Sequence, residues 1–246
     1  MIEELLKKPE QYRIEGNYRA THLVFPVEFE GCKYVVKKPR TSMISSVIRT
    51  YYSLQGEGGN KNSVKAGLLR EIKLLQKLKG FHAPRICAFD PKIPIMVREY
   101  LEGRDFRNLT SEQDVKITLE GALESLQAIH NKDTIIGDTH IKNTFLAEGG
   151  KVYWVDFDGN FDESDVARAK AQDLLKFIYS TYTATRDRNK TLYAADLVAR
   201  NYQEDEVKKN LQELINSLEP GFKLWFSTRL PLDGKLHQEI KTILSK

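Results

Sequence analysis

Three polar residues at fixed intervals constrain the fold of this chain more than any other feature of its sequence. Asp138 is followed five residues later by Asn143, and thirteen residues after that by Asp156, which opens an Asp-Phe-Asp-Gly run. Two short apolar or aromatic segments, 144–146 and 152–155, lie between the last two residues and are separated by a Glu-Gly-Gly turn. Segments of this kind around a glycine turn predict a β-hairpin. The hairpin would carry Asn143 and Asp156 to the same end.

The three residue types suit phosphoryl transfer from ATP, in which Mg²⁺ neutralises the triphosphate and an acceptor hydroxyl gives up its proton. In the kinase arrangement an Asp takes that hydroxyl, an Asn five residues further on holds one metal ion, and the Asp of a DFG-type turn holds another. The spacing therefore predicts a catalytic role for Asp138 and metal-binding roles for Asn143 and Asp156. Each residue alone would more often be a loop cap or a turn residue, so the prediction depends on all three.

The loop Gly137-Asp138-Thr139-His140-Ile141-Lys142-Asn143 and the turn Val155-Asp156-Phe157-Asp158 resemble the corresponding motifs of the lipopolysaccharide core kinases, which phosphorylate heptose or Kdo sugars. Ile136 stands where that family usually has His before its Gly-Asp pair. The resemblance implies an α+β, two-lobed, protein-kinase-like fold with an antiparallel-sheet N-lobe, one main N-lobe helix and a mainly helical C-lobe. It also implies ATP and Mg²⁺ as cofactors.

The resemblance further implies a strand lysine that binds the α- and β-phosphates and a helix glutamate that holds it. Tyr34-Val35-Val36-Lys37 is similar to that strand, and Lys38 would point to the other face because side chains alternate along a strand. Apolar residues at helical spacing predict a helix over 68–78, in which Glu71 is the only acid. We therefore expect a Lys37–Glu71 ion pair, with Val35 also at the nucleotide. The alternative is two solvated lysines at a strand end.

The run Glu99-Tyr100-Leu101-Glu102-Gly103 resembles the hinge between kinase lobes, whose backbone groups bind adenine. It implies nucleotide-binding positions at Glu99 and Leu101. It also divides the chain into an N-lobe over 1–98, a hinge over 99–103 and a helical C-lobe over 104–246. Arg98 is unusual at the end of the preceding strand, because that position normally holds an apolar side chain against the base. For a glycine-rich phosphate loop only Gly16 is available.

The second half of the chain has two further helical patterns. Thr110 and Gln113 form a capping-box pattern that opens a helix with apolar residues from Val115 to Ile129, and we expect His130 at its end to be structural. A helix from Val166 to Thr183 is predicted to follow, and it carries Asp173. The resemblance implies that Asp173 supports the catalytic-loop backbone; the alternative is an ordinary acid on the helix surface.

The positive charge of this chain is concentrated around a basic insertion at 39–66. From Lys33 to Lys79 there are eleven Lys or Arg and two acids, a balance of +9, whereas the whole chain carries +4. With its apolar and tyrosine residues, the insertion favours an anionic glycolipid or sugar acceptor and peripheral contact with the inner membrane. A solvated basic face is the alternative. We expect no nucleic-acid partner, because base-stacking modules are not evident.

The composition, with 41% hydrophobic and 29% charged residues, is that of a soluble globular protein. The N-terminus lacks a signal-like apolar core, and no window approaches the roughly 18 apolar residues of a spanning helix. We therefore expect a cytoplasmic protein. The two cysteines, Cys32 and Cys87, have no metal-binding spacing and are expected to be free, buried thiols.

Three classes of function fit these observations. The main prediction is a kinase of lipopolysaccharide biosynthesis that phosphorylates a sugar hydroxyl of the core or of a similar glycolipid. The alternative is an atypical protein kinase or ATPase of the RIO or Bud32 sort, and a pseudokinase scaffold is disfavoured because the whole set of catalytic residues is present. Only sixteen residues separate Asp156 from Asp173 and no Ala-Pro-Glu occurs, which leaves no room for a peptide-binding activation segment. This favours a non-peptide acceptor, although RIO-like proteins lack that segment too.

Overall fold

The first of two structural units, Met1–Glu102, is built on a four-stranded antiparallel sheet. The computed structural model describes residues 2–14, 22–39, 64–157, 159, 164–218 and 234–245. In this unit the described elements are helix α1 (Glu4–Lys7), a 3-10 helix (Pro9–Tyr12), strands β1 (His22–Phe29) and β2 (Cys32–Pro39), helix α2 (Val64–Leu78), and strands β3 (Ile86–Asp90) and β4 (Ile95–Glu99). The strand order in the sheet is β1-β2-β4-β3.

A tight turn joins β1 to β2. Its two central residues, Glu30 and Gly31, have φ angles of 51° and 74°. Two consecutive positive φ angles are typical of the hairpin turns whose twist matches that of the flanking strands. The predicted hairpin at this position is therefore confirmed.

The two faces of the sheet bury different side chains. One face packs its apolar residues against α1 and forms the core of the unit, which contains Leu5, Phe25, Val27, Phe29, Val36, Ile95 and Val97. Each such side chain contributes about 1.5–3 kcal/mol when it is fully buried. Strand alternation turns Lys37 to the opposite face, where α2 contacts β2 and β3. The sheet thus buries a lysine on the face that carries the main helix.

Helix α2 ends where its sequence predicts. Leu68, Ile72, Leu75 and Leu78 are buried along one side of it. The chain leaves the helix through Lys79 and Gly80, both with positive φ. A left-handed residue pair of this kind is a common way to terminate a helix.

The second unit, Gly103–Lys246, is mainly helical. Its three-stranded antiparallel sheet has the order β5-β6-β7. The described elements are β5 (Gly103–Asp105), a 3-10 helix (Phe106–Asn108), α3 (Glu112–His130), a 3-10 helix (Ile141–Asn143), β6 (Thr144–Ala147), β7 (Val152–Trp154), α4 (Val166–Thr185), α5 (Arg188–Asn201), α6 (Asp205–Ser217) and α7 (Gly234–Leu244).

The predicted β6–β7 hairpin is present and packs against α3. Trp154 is fully buried, and its indole Nε1 donates a hydrogen bond to the carbonyl of Ala122, 3.2 Å away. Gly121 lies in the same contact, because a Cβ atom there would stand 2.6 Å from a methyl group of Val152. The glycine inside α3 therefore allows the close approach of helix and hairpin.

The two predicted helices of this unit exist, with small differences at their ends. The cap of α3 is Ser111, whose hydroxyl accepts a hydrogen bond from the backbone N–H of Asp114, so the prediction of Thr110 as the cap was wrong by one residue. Both are good cap residues, and the sequence alone does not choose between them. Helix α4 begins after the cap residue Asp165, as expected, and runs two residues beyond Thr183 to Thr185.

The predicted fold class is confirmed. The first unit is an antiparallel sheet with one main helix, and the second unit is mainly helical. One detail of the cysteines was wrong: both are free, but Cys32 is exposed and Cys87 is half-buried. Cys32 is the first residue of β2, directly after the turn of the β1–β2 hairpin.

Candidate active site

Asp173 of α4 anchors the loop that carries Asp138 through hydrogen bonds. The Asp173 carboxylate accepts hydrogen bonds from the backbone N–H groups of Ile136, at 2.9 Å, and Gly137, at 3.0 Å. Thr139 donates its hydroxyl hydrogen to the Asp173 carbonyl at 2.6 Å. Since Asp173 is almost fully buried, these bonds are shielded from water, and they fix the backbone on both sides of Asp138.

His130 belongs to the same buried network. Its Nε2 lies 3.1 Å from the Asp173 carboxylate, and its Nδ1 lies 2.9 Å from the hydroxyl of Tyr202. The ring is fully buried at the end of α3. These contacts agree with the expectation that His130 is structural.

Asp138 and Asn143 are in direct contact. The Asn143 side-chain amide donates to the Asp138 carboxylate at 2.9 Å and to the Asp138 carbonyl at 3.0 Å. Asn143 is fully buried and ends the short 3-10 helix that leads into β6. The side-chain nitrogen of Asn143 is thus bonded to Asp138, and in the predicted metal-binding role the side-chain oxygen would be the ligand atom.

The hairpin brings Asp156 to this pair. The backbone N–H of Val155 donates a hydrogen bond to the carbonyl of Asn143 at 2.9 Å. Asp156 is the next residue after Val155, so this bond keeps it close to Asn143, the other predicted metal ligand. Asp156 is 5% exposed. Its carboxylate is therefore almost fully buried.

Electrostatics link the two carboxylates. Burial raises the pKa of Asp138 above its ordinary value, and the charge of Asp156 raises it further. The ammonium groups of Lys176 and Lys142 act in the opposite direction. Two buried carboxylates that repel each other are typical of a site that binds a cation.

The donor set fits Mg²⁺. Carboxylate and amide oxygens are its preferred protein ligands, and in nucleotide sites it usually takes only one or two of them and completes its shell with phosphate and water. Among the described residues there is no group of three or more His, Cys, Asp or Glu side chains that could hold a metal by themselves. Asp156 and Asn143 thus suit an ion that arrives with a nucleotide.

Two functional neighbours were missed by the sequence reasoning. Lys176 lies three residues after Asp173 on α4, and its ammonium group donates to the carbonyl of Gly137. Residues three apart share a helix face, so this spacing was the signal that could have found it. His140, also beside the loop, has its pKa lowered to about 3 by burial and by the nearby lysines, and it is therefore neutral at pH 7.

Gly159, a third residue that the sequence reasoning missed, touches the backbone of the Asp138 loop. A Cβ atom at Gly159 would lie 2.1 Å from the carbonyl carbon of Gly137 and 2.4 Å from the nitrogen of Asp138. The atoms that the Cβ would meet belong to the backbone, which cannot move aside as the end of a flexible side chain can. The glycine that follows the Asp-Phe-Asp run therefore permits a contact that any other residue would prevent.

Gly159→Ala is expected to displace the loop and to lower ATP turnover by about a hundredfold, since small misplacements of catalytic groups have effects of that size. Steady-state turnover of the purified variant measures it. Gly149→Ala is the matched control, because a Cβ atom there meets nothing within 4 Å, and only a strain of about 1 kcal/mol from its positive φ is expected. Equal activity of the two variants would contradict the role of this contact.

In the first unit, Lys37 and Glu71 form a buried ion pair. The Lys37 ammonium group donates to Oε2 of Glu71, and the side chains are 2% and 0% exposed. Lys38 points the other way and pairs with the half-exposed Glu10 near α1. Strand alternation explains the difference, since neighbouring residues of β2 lie on opposite faces.

The two lysines make a matched pair for mutation. Lys37→Met is expected to weaken ATP binding by about tenfold or more, because a cation expected at the phosphates is lost, whereas Lys38→Met should change it by less than about twofold. Calorimetric titration with ATP measures both, and thermal unfolding checks that each variant is folded. A larger loss for Lys38→Met would show that the wrong face of β2 was assigned to the nucleotide.

The remaining predicted nucleotide positions also lie in the first unit. Val35 is opposite Arg98 in the β2–β4 pairing and shares the face of Lys37. The backbone N–H of Glu99 donates to the carbonyl of Arg85, and its carboxylate accepts from the N–H of Arg85. Leu101 is half-buried just after β4. The backbone N–H of Glu99 is therefore already bonded within the first unit.

Some predicted features lie outside the described residues. These are Gly16, Asp158 and all but the edges of the basic insertion, from 40 to 63. In the part of the chain that is described, no helix is both long and apolar enough to cross a membrane.

Comparison with known proteins supports a kinase-like fold. The chain is 30% identical over 118 residues to the KEOPS complex subunit Bud32 of Pyrococcus abyssi, a stretch that covers 46% of this chain and 53% of that protein. The chain thus spans about half the length of the curated relative that it matches. The fold is of the atypical protein-kinase-like type. A scan against protein-family models finds no match.

The same comparison bears on the choice of kinase group. The similarity is to a protein of the Bud32 sort, which was the alternative prediction, and it gives no support to the lipopolysaccharide core kinases in particular. The loop from Gly137 to Asn143 that suggested those kinases is short, and its observed contacts do not distinguish one kind of hydroxyl acceptor from another.

Proposed function

We propose that this chain is an atypical kinase or ATPase of the RIO or Bud32 sort that uses ATP and Mg²⁺. The observation that carries the proposal is the contact of the Asn143 amide with the Asp138 carboxylate, next to the buried Asp156. In this proposal Asp138 accepts the proton of the attacking hydroxyl or water, and Asn143 and Asp156 hold the metal. Mg²⁺, when bound, supplies charge neutralisation of the transferring phosphate.

The proposal assigns binding of the nucleotide to residues of the first unit. Lys37, held by Glu71, would bind the α- and β-phosphates, and the Val35 side chain and the backbone at Glu99 and Leu101 would contact the base. Asp173 would keep the catalytic loop rigid through its bonds to Ile136 and Gly137. A scaffold that has lost catalysis has no physical need for this complete set, which is why we favour an enzyme.

The acceptor is proposed from the similarity to Bud32. That relative is named as a subunit of a complex, so a protein acceptor or partner, or water in an ATPase cycle, is the first choice for this chain. A cytoplasmic location agrees with this choice.

A glycolipid or sugar acceptor is the second candidate. It is favoured by the resemblance of the loop from Gly137 to Asn143 to that of the lipopolysaccharide core kinases. It is also favoured by the charge between Lys33 and Lys79, where eleven basic residues stand against two acids. Peripheral contact with the inner membrane belongs to this candidate alone, since only a lipid-linked acceptor requires it.

Phosphate transfer from γ-labelled ATP separates the two candidates. The purified chain is incubated with Mg²⁺-ATP, once alone and once with purified lipopolysaccharide core, and labelled protein, labelled core and free phosphate are measured. Release of phosphate or labelling of protein that is unaffected by the core supports the first candidate. Label on the core, together with loss of a core phosphate in cells that lack the gene product, would replace it with the second.

A further inference from the structure

Arg98, the residue whose charge is unusual before the hinge segment, shares the carboxylate of Glu71 with Lys37. It lies on β4 opposite Val35, while Lys37 lies opposite Met96, so Arg98 and Lys37 are on the same face of the sheet. Arg98 is 8% exposed, and a terminal nitrogen of its guanidinium group is 3.9 Å from Oε1 of Glu71. Lys37 binds the other oxygen, Oε2. One buried carboxylate therefore faces two cations, one at each oxygen.

The charge of this cluster differs from that of a simple Lys–Glu pair. In such a pair the carboxylate offsets most of the lysine's field, because the two charges are only one hydrogen bond apart. Addition of Arg98 gives the three side chains a formal charge of +1. In a buried position this charge acts strongly on a nearby anion, since there is little water to screen it.

We propose that Arg98 is a positioning residue for Lys37: its guanidinium charge, 3.9 Å from the carboxylate, offsets part of the charge of Glu71 and so strengthens the attraction of Lys37 for the phosphates of a bound nucleoside polyphosphate. The inference rests on the proposed function, because it takes Lys37 as the phosphate-binding lysine. It adds a third member to the ion pair and a reason for an arginine at this position.

A different role for Arg98 would be purely steric, as a wall behind the base. The two roles predict different ligand dependence. A wall acts on the base and changes the binding of adenosine, ADP and ATP equally. A charge acts on the phosphates and changes ATP binding most and adenosine binding least.

Arg98→Met tests the proposal, because methionine keeps an unbranched apolar stem and removes the charge. Binding of ATP, ADP and adenosine is measured by calorimetry on the full chain at constant Mg²⁺, at low and high salt. Arg98→Lys restores a cation, and Arg98→Gln serves as a second neutral variant. Lys73→Met, at an exposed position on the same helix as Glu71, controls for the loss of one positive charge.

We expect Arg98→Met to weaken ATP binding by about tenfold and ADP binding by less, with adenosine changed by no more than about twofold. Arg98→Lys should recover most of the ATP affinity, and Lys73→Met should have little effect. Both neutral variants should fold, because the Lys37–Glu71 pair remains intact in them, and thermal unfolding checks this. Equal losses for all three ligands, or no loss for ATP, would overturn this inference alone. Absence of ATP binding by the unmodified chain would overturn it together with the proposed function.

Discussion

Asp156→Ala is expected to lower Mg²⁺-dependent ATP turnover by roughly a thousandfold or more while the protein stays folded. The substitution removes the carboxylate proposed to hold the metal. It also removes a charge that raises the pKa of Asp138. A raised carboxyl pKa in the folded state means that folding disfavours the ionised form, so loss of Asp156 relieves part of that penalty at neutral pH. Stability should therefore stay equal or rise.

Turnover and thermal unfolding of the same preparation measure both effects. Glu148→Ala is the control, because Glu148 is an exposed acid in the turn between β6 and β7, and its loss should leave turnover unchanged. An Asp156→Ala protein with normal turnover would remove the metal-binding role of this residue. A strongly destabilised one would show instead that Asp156 is structural.

Asp173→Ala is expected to lower the free energy of unfolding by about 3–5 kcal/mol and to abolish turnover. The substitution leaves the N–H groups of Ile136 and Gly137 buried without their acceptor, and His130 loses a partner as well. Each orphaned buried donor costs about 1–3 kcal/mol. The loop that carries Asp138 loses its anchor at the same time.

Chemical denaturation measures the loss against a matched surface residue. Asp187 also accepts from two backbone N–H groups, those of Asn189 and Lys190, but it does so at the start of α5, where its side chain is 35% exposed. Asp187→Ala should therefore cost only about 1 kcal/mol, as for other helix caps. Similar losses for the two variants would contradict the importance of burial at Asp173.

Local patterns in the sequence were enough to predict several features of the fold. The alternation of β2 and the helical spacing of α2 put Lys37 and Glu71 within reach of each other, and the glycine turn predicted the β6–β7 hairpin. These predictions succeed because each depends on residues close together in the chain, or on a regular period.

Other features depend on packing between distant segments, and the sequence did not reveal them. The contact of Gly159 with the loop, the burial of Asp156 and the bond from Lys176 to Gly137 arise only when α4, the hairpin and the loop pack together. Arg98 was noticed as unusual, but its place beside Glu71 required the pairing of β2 with β4. The choice of acceptor depends on the shape and charge of surfaces, and local sequence patterns reveal only the charge.

The central claim is that Asp138, Asn143 and Asp156 support metal-dependent cleavage of ATP. The most direct measurement is the release or transfer of γ-phosphate from labelled ATP by the purified chain, with Mg²⁺ or with a chelator, beside Asp138→Asn at equal concentration. Asn is close in shape to Asp and cannot accept the proton of a hydroxyl group at neutral pH. We predict turnover that requires Mg²⁺ and falls to background in Asp138→Asn. Turnover that persists in the variant or in chelator, or the absence of turnover and of ATP binding in the unmodified chain, would contradict the claim.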